Sequence, residues 1–584
     1  MSYNQKRHQF RILQNFAEYF LLVLVVWATH SFIVPYGIAL HNSEWSAFLL
    51  AADKIREGYF SAFAFQCDYG GLTLTYVRAF FVAFWTLFSE DTLQAHMFFS
   101  YVVVPALLVL SCYFMVLQYV EKKAAFLTAL FASFGFQIWV FLTGNDFYPM
   151  YLMLGFVLFG IRAKMTNIFV EKSKSKIFIV GLIIGQMIYA SRATLPIVVA
   201  FFLNWGWLRV QILDFLTLRF SKKPALKGLF WIAVILISSG VYLEAFGRDL
   251  GSIFGRQIRM DGKPNLHIAA YLIAIYWLAA NYKTEVLPRM NPIGIIFGGV
   301  FFGLLPEIVH WMRLGLLGPP HVIFTQSFQE SFSTLGYLPS RLRMLVSGDQ
   351  AYRVLSLPED GIGQNACALL LIVSLFFVGK SLRKKKSIES IAWIVFLIVG
   401  AFCRIKMPYE EVAPARYLVP LFIAYLVGLA LFFEWSFLMF KKSKNFQNKV
   451  ISCVVYALVV GSVFHQLHSR LRMVDQIKAS DHIDEVAKIT TTFLFNKINF
   501  VISDDFWFSN NLIVFSNWKL KVWASWRNWG PEEIQAEAHS VRRAGILLSA
   551  DKGIQEFVDL LGKKWRLKFI KKIGSKVLYS GQAV

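Results

Sequence analysis

Two carboxylates about a hundred residues apart, Glu44 and Asp146, each stand at the end of a long apolar run in a chain with few acids near its hydrophobic stretches. Held at a membrane boundary, one such acid can take the proton from an attacking hydroxyl and the other can orient a substrate. Each also has an ordinary reading. Glu44 opens the pattern Ala47, Ala51, Ala52, Ile55 that ends at Gly58, an amphipathic helix along the surface in which a first-turn acid favours the helix dipole. Asp146 follows Gly144-Asn145 and precedes Phe147-Tyr148-Pro149, the place of a helix N-cap.

The two acids can cooperate only on a shared face, so the membrane topology must be read first. The chain has 584 residues, 57% hydrophobic and 16% charged, which describes a polytopic membrane protein. The formal charge of +23 sits in short Lys/Arg clusters between apolar runs, the positive-inside pattern, and this argues against nucleic-acid binding. Five scattered cysteines give no disulfide framework and no zinc spacing. The basic start, Met1 to Arg11, leads into an apolar run with no small-residue cleavage site and reads as a retained first span.

Thirteen candidate spans follow, near 15–40, 96–119, 124–142, 147–161, 177–191, 193–208, 228–246, 266–281, 292–311, 364–379, 388–403, 417–440 and 450–466. The stretch 72–88 holds Arg78 and begins at Gly70-Gly71; laid in the interface, it leaves Lys122, Lys174, Lys222, Lys283, Lys384 and Lys442 with their clusters all on the N-terminal side. The reading is therefore N-terminus cytoplasmic and C-terminus outside. Loop 41–95, the turn at Asp146, the turn at Arg192, loop 247–265, a long segment 312–363 that could cover a site, and turn 404–416 then share the outer face. From about residue 468 to 584 the chain alternates charged helical stretches with short apolar strands and reads as a soluble α/β domain, after a membrane domain over 1–467.

Further polar residues lie at that boundary. Glu307 and His310 share a helix face at i, i+3, too few for a metal site and better suited to substrate contact or an internal hydrogen bond. Asp53 and Asp68 are alternative bases in the first loop. Asp504-Asp505 follow an apolar strand and have the form of a carboxylate pair, although acid-rich turns are common at strand ends. Arg404 and Arg416 oppose the positive-inside bias, Arg416 either snorkelling, pairing with Glu410 or Glu411, or binding an anion; Arg192 sits between two spans with no room for a soluble loop.

The acid after the first span, the helix ending at Gly58, Gly70-Gly71 opening an interfacial helix that reaches Tyr76, the second acid about a hundred residues on, and Ala415-Arg416-Tyr417-Leu418-Val419-Pro420 together resemble the GT-C glycosyltransferases. Within them the chain is most similar to the branch of protein O-mannosyltransferases and lipid A aminoarabinose transferases. The resemblance implies a GT-C fold of about thirteen membrane helices with a C-terminal domain. It further implies inverting transfer of a sugar from a polyprenyl-phosphate donor to a glycan, lipid or protein hydroxyl on the non-cytoplasmic face of a bacterial inner membrane. Glu44 would be the base, Asp146 the second acid, and Arg416, Arg192 and Arg404 the donor-phosphate ligands, with Tyr417, Glu307, His310 and Asp68 near the substrate. Arginine can neutralise the leaving phosphate, so neither metal nor cofactor is expected. One departure stands: the branch carries an Asp-Glu pair where this chain has Ser43-Glu44. A flippase for lipid-linked glycans would instead call for acids or broken helices at mid-membrane, and a silent scaffold of the same fold would lack the missing aspartate's work.

Overall fold

The computed structural model describes residues 3–40, 43–58, 71–134, 146–164, 173–190, 194, 197–198, 201, 232, 235–236, 238–239, 249–253, 256–259, 287–313, 346, 361–384, 421–442, 446–479, 482–504, 506–524 and 532–584. Among them five helices are long and apolar enough to cross a membrane: Ala17–Gly37, Thr92–Val116, Gly361–Lys380, Leu421–Lys441 and Phe446–Lys478. Tyr148–Ile161 and Gly294–His310 are shorter apolar helices. The expected spans near 193–208, 228–246, 266–281 and 388–403 lie wholly or largely outside the described residues.

Helix α1 (Tyr3–His30) runs into a 3-10 segment, Ser31–Leu40, that contains Pro35. Helix α2 (Ser43–Arg56) ends at Gly58, whose φ of 93° supplies the left-handed turn that a side chain would resist. Helix α3 (Thr73–Trp85) has 13 residues, about 20 Å, too short to cross a bilayer. Its two faces differ in kind. Leu74, Thr75, Arg78, Ala79 and Val82 are buried, whereas Val77, Phe80 and Phe84 are exposed, as an interfacial helix with one lipid-facing side requires.

The next span combines α4 (Thr92–Phe98), a π-turn over Phe99–Val103 and α5 (Val104–Val116). Asp91 caps α4 by accepting from the Gln94 amide at 2.8 Å. Pro105 lacks the N–H that would bond four residues back, and the helix widens one turn before it. Helices α6 (Lys122–Ser133), α7 (Phe147–Lys164) and α8 (Lys174–Ala190) follow, then α9 (Leu287–Arg313), α10 (Gly361–Lys384), α11 (Leu421–Lys442) and α12 (Phe446–Ala479). Helices α8 and α9 meet backbone to backbone: a Cβ on Gly181 or Gly185 would fall 2.2 or 2.4 Å from the carbonyls of Ile296 and Val300, and one on Gly299 or Gly303 would strike α8 in return. Small residues four apart on both helices permit that approach.

Helix α12 passes through position 468 without a break and carries the chain directly into the C-terminal domain. There α13 (His482–Phe495), α14 (Phe506–Phe515) and α15 (Glu532–Ser540) pack with strands β3 (Phe500–Ser503), β4 (Lys521–Ala524), β5 (Arg543–Ser549), β6 (Phe557–Leu560), β7 (Lys563–Ile573) and β8 (Lys576–Ala583). A separate hairpin pairs β1 (Asp249–Ile253) with β2 (Arg256–Arg259). The six strands form one sheet in the order β4-β3-β5-β8-β7-β6, parallel among the first three and antiparallel thereafter. Crossovers through α14 and α15 account for the parallel half, and tight turns at Gly562 and Gly574, both with positive φ, account for the antiparallel half.

Candidate functional site

The buried face of α3 gathers the polar residues. Asp146, fully buried one position before α7, turns its carboxylate to α3. Its Oδ2 accepts from Thr75 Oγ1 at 2.7 Å and from Arg78 Nε at 3.1 Å, and Arg78 Nη2 donates to Oδ1. The guanidinium thus grips both carboxylate oxygens side-on. Its remaining Nη1 donates to the His96 carbonyl at 3.1 Å and to Ser100 Oγ at 2.9 Å, while its carbon lies 4.7 Å from the Phe99 ring centroid. Ser100 and Phe99 belong to the π-turn, so the widened helix turn is what lines the arginine. A lone charge at this depth would cost several kcal/mol, and full pairing of this kind is what permits Arg78 to sit there.

The N-terminal end of α3 hangs on α8. The Gly71 amide donates to the Tyr189 carbonyl at 3.0 Å, the Leu72 amide to Tyr189 Oη at 3.2 Å, and Thr73 Oγ1 to Gln186 Oε1 at 2.8 Å. Gly71 has no alternative: a Cβ there would lie 2.6 Å from the Tyr189 ring. Gln186 then donates through Nε2 to the Gly303 carbonyl on α9 at 2.7 Å, one helical turn before Glu307, which is 3% exposed. Helix α3 therefore stands between Asp146 on one side and the Glu307 end of α9 on the other. His310, three residues further on, is half-buried on the same helix face.

A second polar joint ties the first loop to the C-terminal domain. Helix α2 lies alongside α14, with Ser46 Oγ donating to Asn511 Oδ1 at 2.6 Å. Near its other end, Asp53 Oδ1 meets His96 Nε2 at 3.1 Å and Arg56 at 3.3 Å, and Asp53 Oδ2 accepts from Trp518 Nε1 at 3.3 Å. Lys54 covers the Trp518 ring at 4.7 Å. Burial pushes the Asp53 carboxyl upward, but the His96 charge and hydrogen bond, the Trp518 donor and Arg56 together outweigh it and hold the group below its ordinary value. Asn517 and Trp518 both have positive φ, 48° and 62°, a costly conformation for an indole-bearing residue that places the ring on α2.

Of the residues singled out in the sequence, Asp146 bonds directly to α3, Glu307 lies one helical turn past the Gly303 carbonyl that Gln186 ties to the start of α3, and Asp53 sits at the domain joint. Glu44 is the second residue of α2, and its side chain lies outside what the structure describes, as do Asp68, Arg192, Arg404, Glu410, Glu411, Arg416, Tyr417 and Asp505. Asp504 serves its own domain, accepting the Ser549 amide at 3.2 Å at the end of β5. No group of three or more His, Cys, Asp or Glu placed to hold a metal occurs among the described residues. Arg78 was legible only as an interruption of an apolar run. Its placement opposite the exposed Val77, Phe80 and Phe84 is the signal that it turns inward and needs an acid.

No family model matches the chain, and no curated protein matches it. Among solved structures it is similar to the oligosaccharyltransferase AglB of Archaeoglobus fulgidus, in complex with an inhibitory peptide and a dolichol-phosphate, at 11% identity and a TM-score of 0.45, over 93% of this chain and 70% of that one. It is also similar to ArnT of Cupriavidus metallidurans bound to undecaprenyl phosphate, at 11% identity and a TM-score of 0.35, over 96% and 97% of the two chains. Both belong to the GT-C glycosyltransferases.

Proposed function

We propose that the chain is a membrane glycosyltransferase that moves a sugar from a polyprenyl-phosphate donor to an acceptor hydroxyl on the non-cytoplasmic face. The observation that supports this reading most directly is the assembly around α3, the next helix described after α2, whose second residue is Glu44: the buried acid Asp146 bonds to α3, and Gln186 links the start of α3 to α9 one turn before Glu307. The sequence motifs of the GT-C resemblance supply the chemistry. Glu44 removes the acceptor's proton as its oxygen attacks the anomeric carbon with inversion, and the lipid phosphate departs toward arginine.

The geometry divides the roles of the acids. Asp146 has both oxygens engaged by Arg78 and Thr75, so we assign it the positioning of α3 and of the turn before α7. Arg192 and Arg416 are the arginines we assign to the donor phosphate, on the sequence motifs alone. The transfer as drawn uses no metal and no cofactor.

The test is the glycan profile of cells carrying Glu44→Gln, Arg192→Gln and Arg416→Gln separately, each checked for normal amounts of protein in the membrane. Loss of modification in Glu44→Gln and in either arginine variant is the expected result. Wild-type modification in Glu44→Gln removes Glu44 as the base.

A further inference from the structure

We propose that the open end of the antiparallel half-sheet is a binding face for an extended anionic glycan. Between Arg542 and Val584 the chain carries ten Lys or Arg against three Asp or Glu. The strands sort these charges by face. Arg543, Gln582, Arg566 and Phe557 stand directly opposite one another across β5, β8, β7 and β6. Lys568 faces Ser580 in the next row on one side, and Lys564 faces Asp559 in the next row on the other. Strand alternation puts all of these on one surface, while the residues between them, Trp565 and Ala544, are 0% and 4% exposed in the core.

Arg543, Lys564, Arg566 and Lys568 are exposed. Arg543, Arg566 and Lys568 have no carboxylate within ion-pair distance among the described residues. Like charges stacked along one strand repel, so the row holds uncompensated positive potential. Successive rows lie about 6.8 Å apart and neighbouring strands about 4.8 Å, a flat grid suited to a chain with repeating anionic groups better than to a single phosphate. Phe557 adds what a polyphosphate would not use. Its ring is 44% exposed beside Arg566, with Lys564 held 5.0 Å from its centroid, an apolar plate for a sugar ring set among cations. Helix α13 bounds the face at its other end, where Phe493 lies over Gly545.

The proposal is independent of the transferase reading, because it concerns binding by the C-terminal domain. The test measures binding of the detergent-solubilised full chain to dextran sulfate, with neutral dextran, polyphosphate and phosphatidylglycerol vesicles as parallel probes. Wild type is expected to bind dextran sulfate and to release it near 1 M salt, where the Debye length is about 3 Å. Arg543→Gln/Arg566→Gln/Lys568→Gln should bind about tenfold more weakly, whereas Lys441→Gln/Lys442→Gln/Lys449→Gln, which removes equal charge elsewhere, should bind as wild type. Phe557→Ala, which alters no charge, should weaken dextran sulfate but leave polyphosphate unchanged. All substituted side chains on the sheet are exposed, and unchanged thermal unfolding verifies the fold. Equal losses in the two triple variants would overturn the proposal, as would binding of the vesicles alone through these residues, or a Phe557→Ala variant indistinguishable from wild type.

Discussion

Two carboxylates in this molecule are held by the same kinds of partner in opposite surroundings. Asp146 and Arg78 are both fully enclosed, with Thr75, Ser100 and the His96 carbonyl completing the set. Asp53, 16% exposed at its side chain, meets His96, Arg56 and the Trp518 indole where the domains join. The first joint trades two large desolvation costs for a strong attraction, so its worth lies in what happens when one partner is missing. The second is only partly buried and made of single hydrogen bonds to three different groups, so losing one of them costs less. His96 belongs to both, through its carbonyl in the first and its imidazole in the second. The enclosed joint fixes α3; the partly buried one governs how firmly the C-terminal domain sits on α2.

The largest expected effect breaks the enclosed joint. Arg78→Met strands Asp146 and should cost about 3–5 kcal/mol, read as thermal unfolding in detergent, while Arg78→Met/Asp146→Leu should recover most of it. A double variant as unstable as the sum of the singles would show that the pair does not act as a unit. Next, Trp518→Phe keeps an aromatic ring on α2 and removes the donor to Asp53, at about 1 kcal/mol. Faster hydrogen exchange in α2 and α14, with exchange in α3 unchanged, is the expected pattern. Exchange rising in α3 as well would show that the joints are not separable.

Acid should sharpen the contrast further. The folded Asp53 carboxyl lies below its ordinary value of 3.8, so its contribution is fully present above that pH and is lost as pH falls through the lower folded value. Domain docking, followed by exchange in α2, should loosen over that range, and Asp53→Asn should flatten the dependence. The smallest effect is Lys54→Ala, which removes a surface pair with Glu57 and the cation over Trp518 at about 0.5–1 kcal/mol.

Local periodicity made much of the architecture legible. The helix ending at Gly58, the helix within 72–88, the helix beginning near residue 481 and the strands near 500, 521 and 576 all follow from spacing within a dozen residues. Asp146 drew notice as an acid at the end of an apolar run, although its place is also that of an ordinary helix N-cap. Its partner was not legible, since Arg78 lies 68 residues away and the pairing is made by tertiary packing. The domain boundary was placed by composition, and composition changes at a membrane surface even where the helix does not. For that reason α12 runs on to Ala479. Asn517 and Trp518, both left-handed, follow the end of α14 and delay β4 to Lys521. No sequence period reports such a turn.

The 34 residues of α12 make a rod about 51 Å long. Arg470 pins it sideways to the body of the protein, donating to the Thr29 carbonyl at 3.1 Å and to the Phe134 carbonyl. That pin stands about 36 Å from the Phe446 end and about 14 Å from the Ala479 end. With the pin this close to its end, only about 14 Å of helix separates the body of the protein from the point where the C-terminal domain begins, so the domain's position is set by the contacts that Thr29 and Phe134 make with one arginine.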